Sequence, residues 1–213
     1  MKTYFTKTPN SIMRFFSKYV WRFSLDTKEI YLTFDDGPTP EITDFVLDAL
    51  KKYNAKATFF CIGKNIVNHP DIFNRIIIEG HAVGNHTQNH LKGWSTENEV
   101  YLENVEVCEK TITRYGNATI QPKIFRPPYG KIKKSQAKEI LKKGYKIIMW
   151  TVLSADFDTS ISKEKCLQNV LKNTKNGSII VFHDSIKAAE KVSFVLPKVL
   201  KEFSKQGFTF KAI

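Results

Sequence analysis

Short apolar runs alternate with helical stretches along nearly the whole chain, and no other feature constrains its fold as strongly. Ile30–Phe34, Ala57–Cys61, His81–Gly84, Ile124–Phe125, Ile147–Trp150, Ser178–Phe182 and Thr209–Lys211 read as strands. Helical signatures lie between them. Thr39-Pro40-Glu41 opens a helix reaching Tyr53, with Thr as cap, Pro in the first turn and an acid favoured by the helix dipole. Pro70–Glu79 stops at Gly80, and Thr96-x-x-Glu99 is a capping-box signature for a helix reaching Tyr115. Lys163–Asn173 and Ala188–Phe203 complete the set. Strands joined by crossover helices pair in parallel. About seven such units predict an α/β fold, a closed or nearly closed single-domain (β/α) barrel, with a doubly wound open sheet as the alternative. No G-x-G-x-x-G follows the first strand and no G-x-x-x-x-G-K-[ST] occurs, which excludes the dinucleotide-binding and P-loop versions of the open sheet.

A chain of 213 residues suits one domain with a full core. Residues 28–213 are expected to form that domain, and residues 1–27 a basic amphipathic extension packed on it. Contact of this extension with a membrane surface is the alternative. Arg14, Lys18 and Arg22 interrupt every apolar run there, and no small-residue cleavage site follows. No cleavable signal and no membrane-spanning stretch is read, so the cytoplasm is the default compartment and the cell envelope the alternative. Cys61, Cys108 and Cys166 lack metal-binding spacing and read as reduced, apolar residues. The net charge is +12. The lysines between Lys131 and Lys146 read as the solvated face of an amphipathic helix, and no nucleic-acid-binding motif accompanies them.

In a parallel β/α fold, chemistry gathers where strands end at their C-terminal edge. Five polar clusters stand at such ends: Asp35-Asp36, His86 with His90, Arg126 to Gly130, Asp156, and His183-Asp184. All five would meet at one mouth. Histidines at i and i+4 on a helical turn present two imidazoles to one side, a spacing that suits a divalent metal. With Asp36 the donor set becomes two nitrogens and one carboxylate oxygen, which leaves a position open as catalytic sites require. A cation there would make water a usable nucleophile at neutral pH. Asp35 could take the proton, and His183 could return one to a leaving amine. Asp156 could polarise His183, Arg126 could orient Asp35, and an amide N–H in the Pro128-Tyr129-Gly130 turn could meet an oxyanion. His69 and His81 fall outside this pattern and read as structural or surface residues.

Thr33-Phe34-Asp35-Asp36-Gly37-Pro38, His86-x-x-x-His90, Arg126-Pro127-Pro128-Tyr129-Gly130, Asp156-Phe157 and Val181-x-His183-Asp184 occur in that order. Together they resemble the five motifs of the polysaccharide deacetylase family, carbohydrate esterase family 4. The resemblance implies a distorted single-domain (β/α) barrel and a divalent metal, most often one Zn²⁺, held by Asp36, His86 and His90. It implies hydrolysis of an N-acetyl group from N-acetylglucosamine-type sugars in a poly- or oligosaccharide. By it, Asp35 is the base, His183 the acid, Arg126 the residue positioning the base, Asp156 the partner of His183, and Tyr129 the oxyanion donor. Pro128, Tyr129, Phe157 and Val181 would face the substrate. Phe157 stands where the family usually has Trp, and Val181 where it often has Leu, so an altered acyl pocket is expected. Deacylation of a formylated, lipid-linked or small amino sugar is the alternative reaction, and a non-catalytic glycan- or nucleic-acid-binding domain a second.

Overall fold

The computed structural model describes residues 4–116 and 122–213. In chain order the elements are α1 (Asn10–Phe15), β1 (Glu29–Asp35), α2 (Ile42–Lys51), β2 (Ala57–Cys61), α3 (Gly63–Asn68), α4 (Pro70–Ile78), β3 (Ala82–Asn85) and α5 (Asn98–Gly116). There follow β4 (Ile124–Phe125), α6 (Lys134–Lys142), β5 (Lys146–Ile147), β6 (Val152–Leu153), α7 (Lys163–Asn173), β7 (Ile179–His183), α8 (Ala189–Lys205) and β8 (Thr209–Phe210). Seven strands form one parallel sheet in the order β5-β4-β3-β2-β1-β7-β6, and β8 pairs with the start of β1. The sheet curls into a distorted barrel, with the parallel pairing that the strand–helix alternation predicts.

Strands buried on both faces read as continuous apolar runs, and the central strands show the consequence. Ile30, Leu32 and Phe34 of β1 face the helix layer, with Phe59 and Phe182 stacked on Phe34 at 5.1 and 5.9 Å. Leu47 and Leu50 of α2 and Val195, Leu196 and Val199 of α8 close that core. Tyr31, Thr33 and Asp35 alternate to the opposite face, inside the barrel. Tyr31, Phe60, Ile124, Ile148 and Ile179 fill that interior. Gly84 belongs to it by necessity, since a Cβ there would come within 2.5 Å of the Phe60 ring. The barrel is therefore packed solid below its mouth.

β5 and β6 end the sheet and do not pair with each other among the described residues. Residues 4–22 fill the seam between them. The Val20 N–H donates to Ile147 O at 2.9 Å, and the Met149 N–H donates to Val20 O at 2.7 Å. On the other side Leu153 N–H donates to Thr6 O at 3.0 Å and Thr8 N–H to Thr151 O at 2.9 Å. Trp21 is buried, and Ile12, Met13, Phe16 and Tyr19 pack against its cluster, whereas Phe5 and Phe15 face solvent.

Four local expectations need correction. Thr39 does not cap α2 with its side chain: the helix starts at Ile42, after Glu41 at φ 66°, and it is the Thr39 N–H that donates to Thr43 Oγ1. The Thr96 hydroxyl donates to Lys92 O at 2.8 Å instead of closing a capping box. The single strand read at Ile147–Trp150 is two short ones, β5 and β6, separated by four residues that face the inserted Val20 and Thr8. The lysine-rich helix is shorter than its charge run and spans Lys134–Lys142, with Lys134, Lys138 and Lys142 exposed as a solvated face requires. No helix among the described residues is long and apolar enough to cross a membrane. The three cysteines are buried and free.

Candidate active site

Asp35 and Asp36 leave the end of β1 in different directions because Asp36 adopts φ 84°. The reversal turns the Asp35 side chain into the barrel mouth and the Asp36 side chain toward β3. Asn65 of α3 donates to Asp36 O at 2.7 Å, and Asp184 Oδ1 accepts the Gly37 N–H at 3.0 Å. Thr43 donates to the other oxygen of Asp184 at 2.6 Å. Asp184 is thus a buried brace for the aspartate turn, and burial pushes its carboxyl up to about 7 against those two hydrogen bonds.

His86 and His90 do not lie on a helical turn. They follow β3 on a loop whose Thr87 and His90 both adopt positive φ, at 66° and 55°. The amide N–H groups of Gly63 and Lys64 donate to the carbonyls of Thr87 and Gln88 at 3.0 and 2.9 Å. Gly63 lets the Gln88 side chain lie close against it, where a Cβ would fall 2.0 Å from Gln88 Oε1 and push that side chain aside. His86 Nδ1 donates to Arg126 O at 2.7 Å, since a carbonyl can only accept. That bond fixes the tautomer and frees the Nε2 lone pair. Burial pushes the His86 imidazole down to about 4, keeping it neutral as a ligand must be.

Asp36 Oδ1 lies 3.2 Å from His90 Nε2 and 3.7 Å from His86 Nε2. One ligand atom from each of Asp36, His86 and His90 falls within 4.8 Å of the others. The Asp36 oxygen is buried without a hydrogen-bond partner. Orphaned buried carboxylate oxygens are costly unless a cation satisfies them. Burial opposes the charge on Asp36, but His90 beside it and the field of His183 and His86 hold its carboxyl well below the usual range. One anionic oxygen converging with two imidazole nitrogens fits a borderline divalent cation.

Two supported pairs flank this triad. Arg126, fully buried, donates to Asp35 Oδ1 and to Thr33 Oγ1 at 2.7 Å each, and to the carbonyls of Ile148 and Met149 at 3.2 Å. Its guanidinium lies 4.1 Å from the centre of the Phe60 ring. Burial lowers its pKa somewhat while Asp35 opposes that. Opposite, Asp156 accepts both the backbone N–H and the Nδ1–H of His183 at 2.7 Å. Burial would push that imidazole down, but the Asp156 charge and hydrogen bond outweigh it and carry it up to about 10. His183 is therefore an imidazolium at neutral pH.

Asp35, Asp36, His86, His90 and His183 open into one cleft of about 770 Å³, with the buried Arg126, Asp156 and Asp184 behind them. Tyr129, at φ 60°, lines it with its ring 4.6 Å from His90, and Phe157 and Val181 line the side nearest His183. Pro128 does not line the cleft: it is the buried first residue of the turn that presents Tyr129. His81 is structural, its Nδ1 accepting the Ala57 N–H at 3.2 Å. His69, half-buried, stands on the cleft wall at the junction of α3 and α4. Tyr4, Asn65 and Trp150 also belong to the wall and went unseen in the sequence. Asp36, Thr87, His90, Tyr129 and Ala155 share positive φ without being glycine. Such strain is commonly concentrated at functional sites.

Residues 24–148 match the polysaccharide deacetylase family. A peptidoglycan-N-acetylglucosamine deacetylase of Bacillus cereus is 34% identical over 194 residues, 91% of this chain and 90% of that protein. The chain belongs to the polysaccharide deacetylase family. A chitooligosaccharide deacetylase of Azorhizobium caulinodans is 33% identical to this family member over 166 residues, covering 76% and 77% of the two. Among solved structures, a peptidoglycan N-acetylglucosamine deacetylase bound to an N-hydroxybenzamide compound superimposes with a TM-score of 0.87. It is 33% identical and covers 97% of this chain and 95% of its own. A family 4 pseudoenzyme from Bacillus anthracis shares the fold at a TM-score of 0.81 and 23% identity, over 91% of this chain and 66% of its own. Since an enzyme and a pseudoenzyme share this architecture, activity has to be argued from side chains.

Proposed function

We propose that this protein is a divalent-metal-dependent hydrolase that removes the N-acetyl group from N-acetylglucosamine residues of a peptidoglycan- or chitin-like glycan. The orphaned oxygen of Asp36, converging with His86 and His90 between two supported acid–base groups, is the observation that carries the reading. Asp36, His86 and His90 would hold the cation, with Zn²⁺ the best match to two nitrogens and one oxygen. Bound there, it supplies Lewis acidity toward the acyl carbonyl and toward attacking water.

The remaining chemistry belongs to the chain. Asp35, aimed by Arg126, takes a proton from the attacking water. The Tyr129 N–H meets the developing oxyanion. His183, held by Asp156, protonates the leaving amine, so that the C–N bond breaks toward a neutral amino sugar and a carboxylic acid. Phe157 and Val181 exclude water beside the acyl group. Acetate release from N-acetylglucosamine oligomers and from peptidoglycan fragments tests this. The expected result is release that stops with chelator and returns with Zn²⁺. No chelator-sensitive release of any acyl group across a panel of N-acyl sugars would overturn it.

A further inference from the structure

The wall of the cleft beside His183 is not built by the barrel alone. Residues 4–8 run beside β6, and the Lys7–Val152 bridge is antiparallel. Past β6 the chain turns through Ala155, at φ 62°, into Asp156, Phe157 and Asp158. Tyr4 meets that turn twice. Its hydroxyl donates to Asp158 Oδ2, and its ring meets the Phe157 ring edge-on with centroids 5.4 Å apart. Phe157 in turn meets the His183 ring edge-on at 5.1 Å. The Ser160 N–H and hydroxyl donate to the other oxygen of Asp158 at 2.9 and 2.6 Å. Tyr4, Leu153, Phe157 and Val181 all line the cleft.

We propose that Tyr4 is a specificity-determining and positioning residue for the deacylation described above, on which this inference rests. Its ring backs Phe157 and fixes the depth of the apolar wall that receives the acyl chain. Its hydroxyl pins, through Asp158, the turn that presents Asp156 to His183. An acyl group longer than acetyl has to push Phe157 against a ring that cannot retreat, because Tyr4 is tied down at the hydroxyl and by the Thr6 and Thr8 hydrogen bonds. One methylene of misfit in an apolar pocket changes kcat/KM by roughly 10–200-fold. The residue that sets the wall therefore sets the acyl preference.

The test is a series of N-formyl, N-acetyl, N-propionyl and N-butanoyl glucosamine oligomers, assayed with added Zn²⁺ for the wild type, Tyr4→Ala and Tyr4→Phe, with Tm measured for each. Tyr4→Ala should raise kcat/KM for the butanoyl substrate relative to acetyl by about tenfold. Tyr4→Phe should keep the wild-type acyl preference and lower kcat on every substrate. If Tyr4→Ala does not fold, Tyr4→Leu keeps apolar bulk but shortens the wall, and should shift the preference in the same direction. For Tyr4→Ala or Tyr4→Leu, a fall of equal proportion across the series, in step with Tm, would overturn the role of Tyr4 while leaving the deacylation intact. Wild-type protein inactive on every member would overturn the deacylation, and the role of Tyr4 with it.

Discussion

Replacing Asp156 by Asn preserves the shape of the support under His183 and removes its charge. Both Asp156 oxygens accept from His183 at 2.7 Å. Burial pushes the imidazole down, and the Asp156 charge and hydrogen bond, followed by the charges of Asp36 and Asp35, carry it from 6.5 to about 10. That rise corresponds to on the order of 5 kcal/mol of preference for the imidazolium. Asp156 supplies the largest favourable part, so in Asp156→Asn burial should dominate and His183 should be neutral at pH 7. The alkaline limb of the kcat/KM profile should move down from about 10 to below 7, and kcat at neutral pH should fall by about 10²–10⁴-fold. Bound metal should be unchanged. NMR titration of the His183 ring gives the same quantity without turnover. The stability signature has a definite sign: a histidine whose folded pKa lies above its unfolded one contributes fully below pH 6.5 and loses that contribution as pH rises through about 10. Wild-type Tm should decline across that window more than that of the variant. An alkaline limb that stays in place while kcat collapses would refute the assignment of His183 as the proton donor.

Other perturbations separate the remaining roles. Asp35→Asn should abolish turnover and keep Zn²⁺, whereas Asp36→Ala should lose the metal, as read by elemental analysis after dialysis; the reverse pattern would exchange the two aspartates. Arg126→Met leaves Asp35, Thr33 and two carbonyls without their buried donor, and should cost about 3–5 kcal/mol in urea unfolding as well as activity. His81, pushed down to about 4 chiefly by burial, contributes stability that is present above pH 6.5 and lost as pH falls through 4. His81→Gln should therefore flatten the acid side of a stability profile measured by urea unfolding between pH 7 and pH 4.

Much of the architecture was legible because parallel strands buried on both faces leave unbroken apolar runs. Ile30–Phe34, Ala57–Cys61 and Ser178–Phe182 each fall on an observed strand. The polar clusters were legible for the same reason, since each follows such a run. What escaped were features set by tertiary contact. β6 has only two residues and gains its second edge from Thr6 and Thr8, so its own sequence carries little signal. α3 is anchored at its start by the Gly63 and Lys64 N–H groups on the carbonyls of Thr87 and Gln88, in a loop far along the chain, and local propensity could not reveal it. The spacing of His86 and His90 suggested a helix, but left-handed Thr87 and His90 achieve the same convergence through a loop, and nothing in those residue types announces positive φ. Asp184 stood in view next to His183, yet its place beneath the Asp36-Gly37 turn required the β1–β7 pairing. The places of Tyr4 and His69 on the cleft wall depended on long-range packing, which composition and periodicity do not encode.

The seam between β5 and β6 has a consequence for biosynthesis. Residues 4–22 leave the ribosome well before Ile147, Thr151 and Leu153, the partners that hold them. The earliest of these segments to be made must wait, basic and rich in aromatic side chains, until the last third of the barrel exists. Until it docks, two strand edges stand open to pairing with another chain. Slow synthesis or a crowded ribosome should therefore penalise this protein through aggregation of the nascent, unstrapped barrel, before any loss of the finished enzyme's stability is felt.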